Sequence, residues 1–133
     1  MKFIENVERD KYIAFESGHE KSHFLQSYAW GEFCRRAKGQ VPNYVGMVDD
    51  NGNLVATALI LLRKTPLGYS YGYAPRGFII DYNNKELIKE FTDYLKGYMK
   101  EKKIIYIKFD PDIPYQDIDS EANPIEGGNN NYE

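Results

Sequence analysis

The spacing of apolar positions changes repeatedly along the chain, and each change predicts an element. Lys2–Val7 reads as a short strand. From about Asp10, the positions Tyr12, Ile13 and Phe15 suit a short helix that Ser17-Gly18 ends. Ser27 is a good N-cap for the next helix. There Trp30, Phe33, Cys34 and Ala37 recur at i, i+3, i+4, i+7 and form one apolar face. Glu32, Arg35, Arg36 and Lys38 lie largely off that face, and Gly39 closes the helix. The period then shortens. Tyr44–Val48 and Leu54–Arg63 are strand-like, joined by Asp49–Asn53, whose Asn51-Gly52 pair is a strong hairpin signal. Leu59–Leu62 is apolar at consecutive positions, which predicts a strand covered on both faces. After the turn at Pro66-Leu67-Gly68, Tyr69, Tyr71 and Tyr73 alternate onto one side of a third strand. Pro75-Arg76-Gly77 predicts a bulge or sharp bend, and Phe78-Ile79-Ile80 continues the strand.

The clearest element follows. Asn83 with Glu86 resembles a capping box. Leu87, Ile88, Phe91, Tyr94, Leu95, Tyr98 and Met99 make a continuous helical stripe, and Lys100, Lys102 and Lys103 suit the helix C-terminus. Ile104–Phe109 is a strand ending at Asp110-Pro111. The order β, α, α, β, β, β, α, β predicts an α+β or mixed α/β fold. Its hairpin-connected antiparallel strands precede a helical crossover to a parallel strand.

Composition narrows the classes. The 133 residues hold 17 basic and 20 acidic side chains, a balance that argues against a dedicated nucleic-acid binder. One cysteine, Cys34, excludes an internal disulfide and a cysteine zinc site. It sits on the apolar helix face as a buried, inert thiol. No apolar run approaches the ~20 residues of a membrane span, and no signal-peptide pattern opens the chain. Charge is uneven: residues 1–109 carry a formal +4, and residues 110–133 carry −7 with no Lys or Arg. The acidic, Asn/Gly-rich stretch 116–133 reads as a flexible tail, leaving 1–115 as the folded part.

Candidate chemistry is sparse. His19 and His23 are four apart but lie in a polar stretch, so a metal site is not expected. No P-loop or GxGxxG occurs, and the junction Ile80–Asn84 lacks glycine, so it offers no cradle for a coenzyme pyrophosphate. Arg76, held between Pro75 and Gly77 beside Tyr73, could clamp a phosphate or carboxylate. Arg35 and Arg36 are further discrete cations. Asp110 lies just past an apolar strand, where α/β sites form, and Lys108 shares its face. Such a pair could handle an amine nucleophile, the carboxylate accepting a proton and the ammonium stabilising charge. Capping the strand is the other reading of Asp110.

Phe24-Leu25-Gln26-Ser27-Tyr28-Ala29-Trp30-Gly31 resembles the opening of the Fem family of peptidoglycan-bridge aminoacyltransferases. The Asp49–Asn53 hairpin, Tyr73-Ala74-Pro75-Arg76-Gly77, the long helix and Ile107-Lys108-Phe109-Asp110-Pro111 follow in the family's order. The resemblance implies an incomplete GNAT-like domain. It also implies transfer of an amino acid from aminoacyl-tRNA to the stem peptide of a UDP-muramyl or lipid-linked precursor, with no metal and no cofactor, in the cytoplasm or at the inner membrane face. Asp110 matches an aspartate that the family uses in handling the acceptor. Arg35, Arg36, Arg76, Lys108, Trp30 and Tyr73 are the candidate substrate contacts. Cys34 occupies a position, four after the Trp, where a basic residue is common. A non-catalytic binding module on the same half-fold is the alternative, and an acyl-CoA acetyltransferase is a third reading. The family's length implies an open sheet edge here, so self-association through that edge is expected; a monodisperse monomer at high concentration contradicts it.

Overall fold

A computed structural model describes residues 1–110; the acidic stretch 116–133 lies outside them. The strands are β1 (Lys2–Ile4), β2 (Val41–Val48), β3 (Leu54–Lys64), β4 (Ser70–Ala74) and β5 (Ile104–Phe109). The helices are α1 (Arg9–Gly18), α2 (Tyr28–Lys38) and α3 (Lys85–Glu101), with a 3-10 turn at Phe24–Gln26 before α2. One sheet runs β1-β2-β3-β4-β5 in space, antiparallel throughout except for the parallel β4–β5 pair made by the α3 crossover. This is the expected α+β class and strand order.

Local chemistry explains the boundaries. Ser27 Oγ accepts from Trp30 N at 3.0 Å, and Gly39 ends α2 in the left-handed region at φ 65°. Asp49 Oδ1 accepts from the N–H groups of Asn51 and Asn53 and closes the β2–β3 turn. The α3 cap is Asn84, one residue beyond the expected Asn83: its Oδ1 accepts from Leu87 N at 3.1 Å. Asn83 instead belongs to a turn in which its N–H donates to Asp81 Oδ1.

The sheet separates two cores. On one face, Val45, Met47, Ala58, Ile60, Ala74 and Phe78 meet the α3 stripe of Leu87, Phe91, Leu95 and Tyr98. On the other, α1 and α2 pack over β2 and β3, enclosing Tyr12, Cys34, Tyr44, Leu59 and Leu61. Here the expected α2 face is corrected. Its buried residues are Gly31 and Cys34, whereas Phe33 is 44% exposed and stacks on Trp30 at the rim. Gly31 lets the helix sit against Tyr44, which rotates the contact face away from Phe33 and Ala37. Glu32 is drawn to that contact, accepting from the Tyr44 hydroxyl at 2.8 Å. Burial opposes its ionisation, but that hydrogen bond and Arg35 outweigh it and hold Glu32 below the usual carboxylate range.

Buried phenols carry an alkaline prediction. The Tyr98 hydroxyl donates to Asn43 Oδ1 at 2.9 Å, and burial pushes its pKa up to about 12. Burial raises Tyr12 and Tyr44 as well. A phenol with a raised folded pKa stabilises the protein fully below its unfolded value of about 10, and that contribution is lost as pH climbs through the folded value. Thermal melts should hold their midpoint to about pH 10 and fall steeply above it. Tyr98→Phe should make that fall shallower, with Tyr12 and Tyr44 still contributing.

Candidate functional site

The end of β4 carries the site because the β3–β4 ladder fails there. Leu61 pairs with Tyr73, and the same register puts Pro75 opposite Leu59. Proline has no N–H to give. Pairing resumes at Thr57–Ile79, two residues out of register, so a bulge lies between. Phe78–Ile80 therefore returns to β3 through one bridge instead of extending β4. Within the bulge Arg76 adopts φ 60° and Gly77 φ 77°.

Two side chains hold this bulge. From inside, the buried Gln26 accepts Leu59 N at its Oε1 (2.8 Å) and donates from Nε2 to Leu59 O (3.2 Å) and Pro75 O (2.8 Å). The backbone carbonyl of Gln26 accepts from the buried Tyr12 hydroxyl at 2.6 Å. From outside, Asp110 reaches over from the end of β5. Its Oδ1 accepts from Arg76 N at 2.6 Å and its Oδ2 from the Tyr73 hydroxyl at 3.1 Å. The Arg76 N–H is the main force holding the Asp110 carboxyl below its ordinary range; desolvation opposes it, and the Tyr73 hydroxyl and the Arg76 guanidinium add smaller lowering effects. Desolvation and Asp110 raise Tyr73 in turn. A carboxylate so held is a weak base and a durable anion, suited to anchoring a cation such as an ammonium.

The surroundings are open. Tyr71, Tyr73 and Leu61 share the face that carries α1 and α2, but those helices pack chiefly on β2 and β3. The β4–β5 surface beside them is a shelf. Tyr71 stacks on Tyr106 at 5.7 Å, and exposed Lys108 stands opposite Tyr73. Among the described residues no ion pair joins Lys108 to Asp110. Tyr73, Arg76 and Asp110 thus come together, with Lys108 one strand position away. Arg35 does not join them: it is exposed and pairs with Glu32 at 3.3 Å. Arg36 lines a separate groove between α1 and α2 with Arg9 and Tyr28. Trp30 sits at the rim of α2 against Phe24 and Phe33, with the Lys38 ammonium 5.3 Å over its ring.

Other candidates resolve locally. Cys34 is buried, and desolvation raises its pKa. The Nδ1 atoms of His19 and His23 accept the N–H groups of Lys21 and Leu25 in local turns. The α3 N-terminus is occupied by Asn84 and flanked by Asp81, so side-chain oxygens take the place where a pyrophosphate would bind. Gln26 stands in the Phe24–Gly31 motif, but its role is not readable there because it lies outside any periodic segment. The available signal was Pro75 facing an otherwise regular strand.

The fold is that of the GNAT-like acyltransferases. Among solved structures, a ribosomal-protein-alanine N-acetyltransferase from Brucella melitensis biovar Abortus 2308 superposes with a TM-score of 0.57 at 14% identity, covering 86% of this chain and 84% of that one. At that identity the likeness speaks for the fold alone. Within this class the chain belongs to the FemAB family, which it matches over residues 7–133. It is 30% identical over 132 residues to the aminoacyltransferase FemA of Staphylococcus aureus (strain bovine RF122 / ET3-1), covering 99% of this chain and 31% of that protein. The crystal structure of FemX matches with a TM-score of 0.72 at 31% identity, over 85% of this chain and 28% of that one. The chain spans less than a third of these relatives. No helix among the described residues is long and apolar enough to cross a membrane.

Proposed function

We propose that this chain is the N-terminal, acceptor-side portion of an aminoacyltransferase acting on peptidoglycan precursors, with aminoacyl-tRNA as donor. The observation that carries the reading is the Asp110 carboxylate, kept anionic by Arg76 N and Tyr73 at the open end of β4 and β5. In the reaction, a stem-peptide amine attacks the aminoacyl ester carbonyl. The C–N bond forms, the ester C–O bond breaks, and the ribose oxygen leaves as a hydroxyl with the proton that the attacking amine gives up; an amine that arrives as an ammonium first loses its extra proton to water. Asp110 orients the amine as an anchoring anion, and Lys108 and Arg76 favour the anionic precursor. Trp30, Arg35 and Arg36 would contact more distant parts of it. The setting would be the cytoplasm or the inner membrane face, where such precursors are made.

Calorimetric titration with UDP-muramyl pentapeptide tests this. The expected result is saturable binding, weakened about tenfold by Arg76→Ala, the loss of one charged hydrogen-bonding partner. A folded chain that shows no saturable binding contradicts it. Adding aminoacyl-tRNA and reading the precursor mass separates a transferase from the alternative, a binding module of the same fold.

A further inference from the structure

We propose that Gln26 is a positioning residue for this site: its carboxamide replaces the missing rung between Leu59 and Pro75 and so sets the bulge from which Arg76 N reaches Asp110. The functional consequence rests on the reading of Asp110 as the acceptor-side carboxylate; the positioning itself does not.

The geometry leaves little slack. Leu59 would exchange hydrogen bonds with residue 75 if β4 ran on, but Pro75 brings no N–H and the strand turns away. The Gln26 carboxamide has one acceptor and two donors on a planar group, as a peptide unit nearly does. Its Oε1 takes the Leu59 N–H, and its two N–H groups go to Leu59 O and Pro75 O. Three of the four hydrogen bonds a carboxamide can make go to these two backbone positions. The side chain is itself fixed, because the 3-10 turn that carries it is capped by His23 Nδ1 and tied to α1 through the Tyr12 hydroxyl. Pro75 immediately precedes Arg76. Pro75 O and Arg76 N–H are the two ends of one planar peptide unit, so holding the carbonyl orients the N–H, which points the opposite way at Asp110 Oδ1. Unheld, the bulge could turn that N–H aside, and a left-handed arginine would relax toward ordinary φ.

The test is the titration of the Asp110 carboxyl, followed by its carbon NMR shift, in the wild type, in Gln26→Met and in Leu95→Ala. Met keeps the volume and loses every hydrogen bond; Leu95→Ala destabilises the α3 layer on the opposite face of the sheet. In Gln26→Met the Asp110 pKa should rise toward the ordinary aspartate range, and in Leu95→Ala it should stay low. Asp110 unmoved in folded Gln26→Met overturns the proposal, as does an equal rise in Leu95→Ala. If Gln26→Met does not fold, Gln26→Glu decides: protonated in the acid range of the titration, it keeps one donor, so Asp110 should rise there too, and an unchanged value overturns the proposal. Precursor affinity is a second readout. Gln26→Met should weaken UDP-muramyl pentapeptide about tenfold and add nothing in an Asp110→Asn background. A moved titration with unchanged affinity leaves the positioning intact and removes the acceptor reading of Asp110.

Discussion

Gly31→Ala will destabilise the chain by about 2–3 kcal/mol, although alanine is the better helix former by about 1 kcal/mol. A Cβ at Gly31 would run into the Tyr44 hydroxyl and lie 2.8 Å from the ring Cζ and 3.1 Å from Leu59 Cδ1. Relieving this means displacing a Tyr44 side chain already stacked on Tyr28 at 4.3 Å. Overpacking costs about 1–3 kcal/mol. Moving Tyr44 also breaks its contacts with Glu32 Oε2 and Tyr28 O, and a hydrogen bond to a charged group is worth about 1.5–3 kcal/mol. The midpoint of thermal unfolding should fall by roughly 10 °C. Removing the offending oxygen should recover part of the loss. The double variant Gly31→Ala/Tyr44→Phe should be more stable than the two single effects predict, by about 1 kcal/mol. Additive losses, or a neutral Gly31→Ala, would show that α2 does not sit on Tyr44 in this way.

Arg76 separates backbone from side chain. Arg76→Pro should cost about 3 kcal/mol or more, because proline forbids φ 60° and deletes the N–H that holds Asp110. Arg76→Gly keeps that N–H and tolerates the left-handed backbone, gaining about 1 kcal/mol there against whatever the guanidinium contributed. Denaturant midpoints should therefore place glycine near the wild type and proline far below it. Asp110 should lose most of its low pKa in the proline variant and retain most of it in the glycine one, since the backbone N–H is the leading cause. In linkage terms, a carboxyl with a depressed folded pKa stabilises above its unfolded value, and that contribution is lost as pH falls through the folded value. The acid side of the stability profile should consequently flatten in Arg76→Pro. Equal behaviour of the two variants would mean that the turn does not matter.

What was legible in the sequence followed local rules. Ser27, Gly39 and the Asp49–Asn53 turn act through their own backbone neighbours, so residue type and spacing sufficed. The α3 stripe, apart from Tyr94, which is 45% exposed, and the doubly covered Leu59–Leu62 run were equally plain, since burial on one or both faces writes itself into the hydrophobic period. Errors arose where a contact overrode that period. Gly31 counts as nothing in an apolar tally, yet its missing side chain decides which face of α2 meets the sheet. β5 is apolar at every position but Lys108, yet Ile105 is 62% and Tyr106 52% exposed because that strand borders the described sheet. Asp110 and Tyr73 were visible as candidates; the Arg76 N–H that fixes Asp110 beside Tyr73 was not, because a backbone N–H has no letter in the sequence. Gln26 joins residues 33 and 49 positions away, a relation that no local pattern carries.

The Asp110 carboxylate is proposed to meet the acceptor amine. The measurement that tests it most directly compares UDP-muramyl pentapeptide carrying a free stem-peptide amine with the same compound acetylated there, each titrated into the wild type and into Asp110→Asn. The wild type should prefer the free amine about tenfold, about 1.4 kcal/mol for one carboxylate–ammonium contact, and Asp110→Asn should bind both forms alike. A preference that survives Asp110→Asn, or a wild type indifferent to acetylation, would show that Asp110 does not hold the amine.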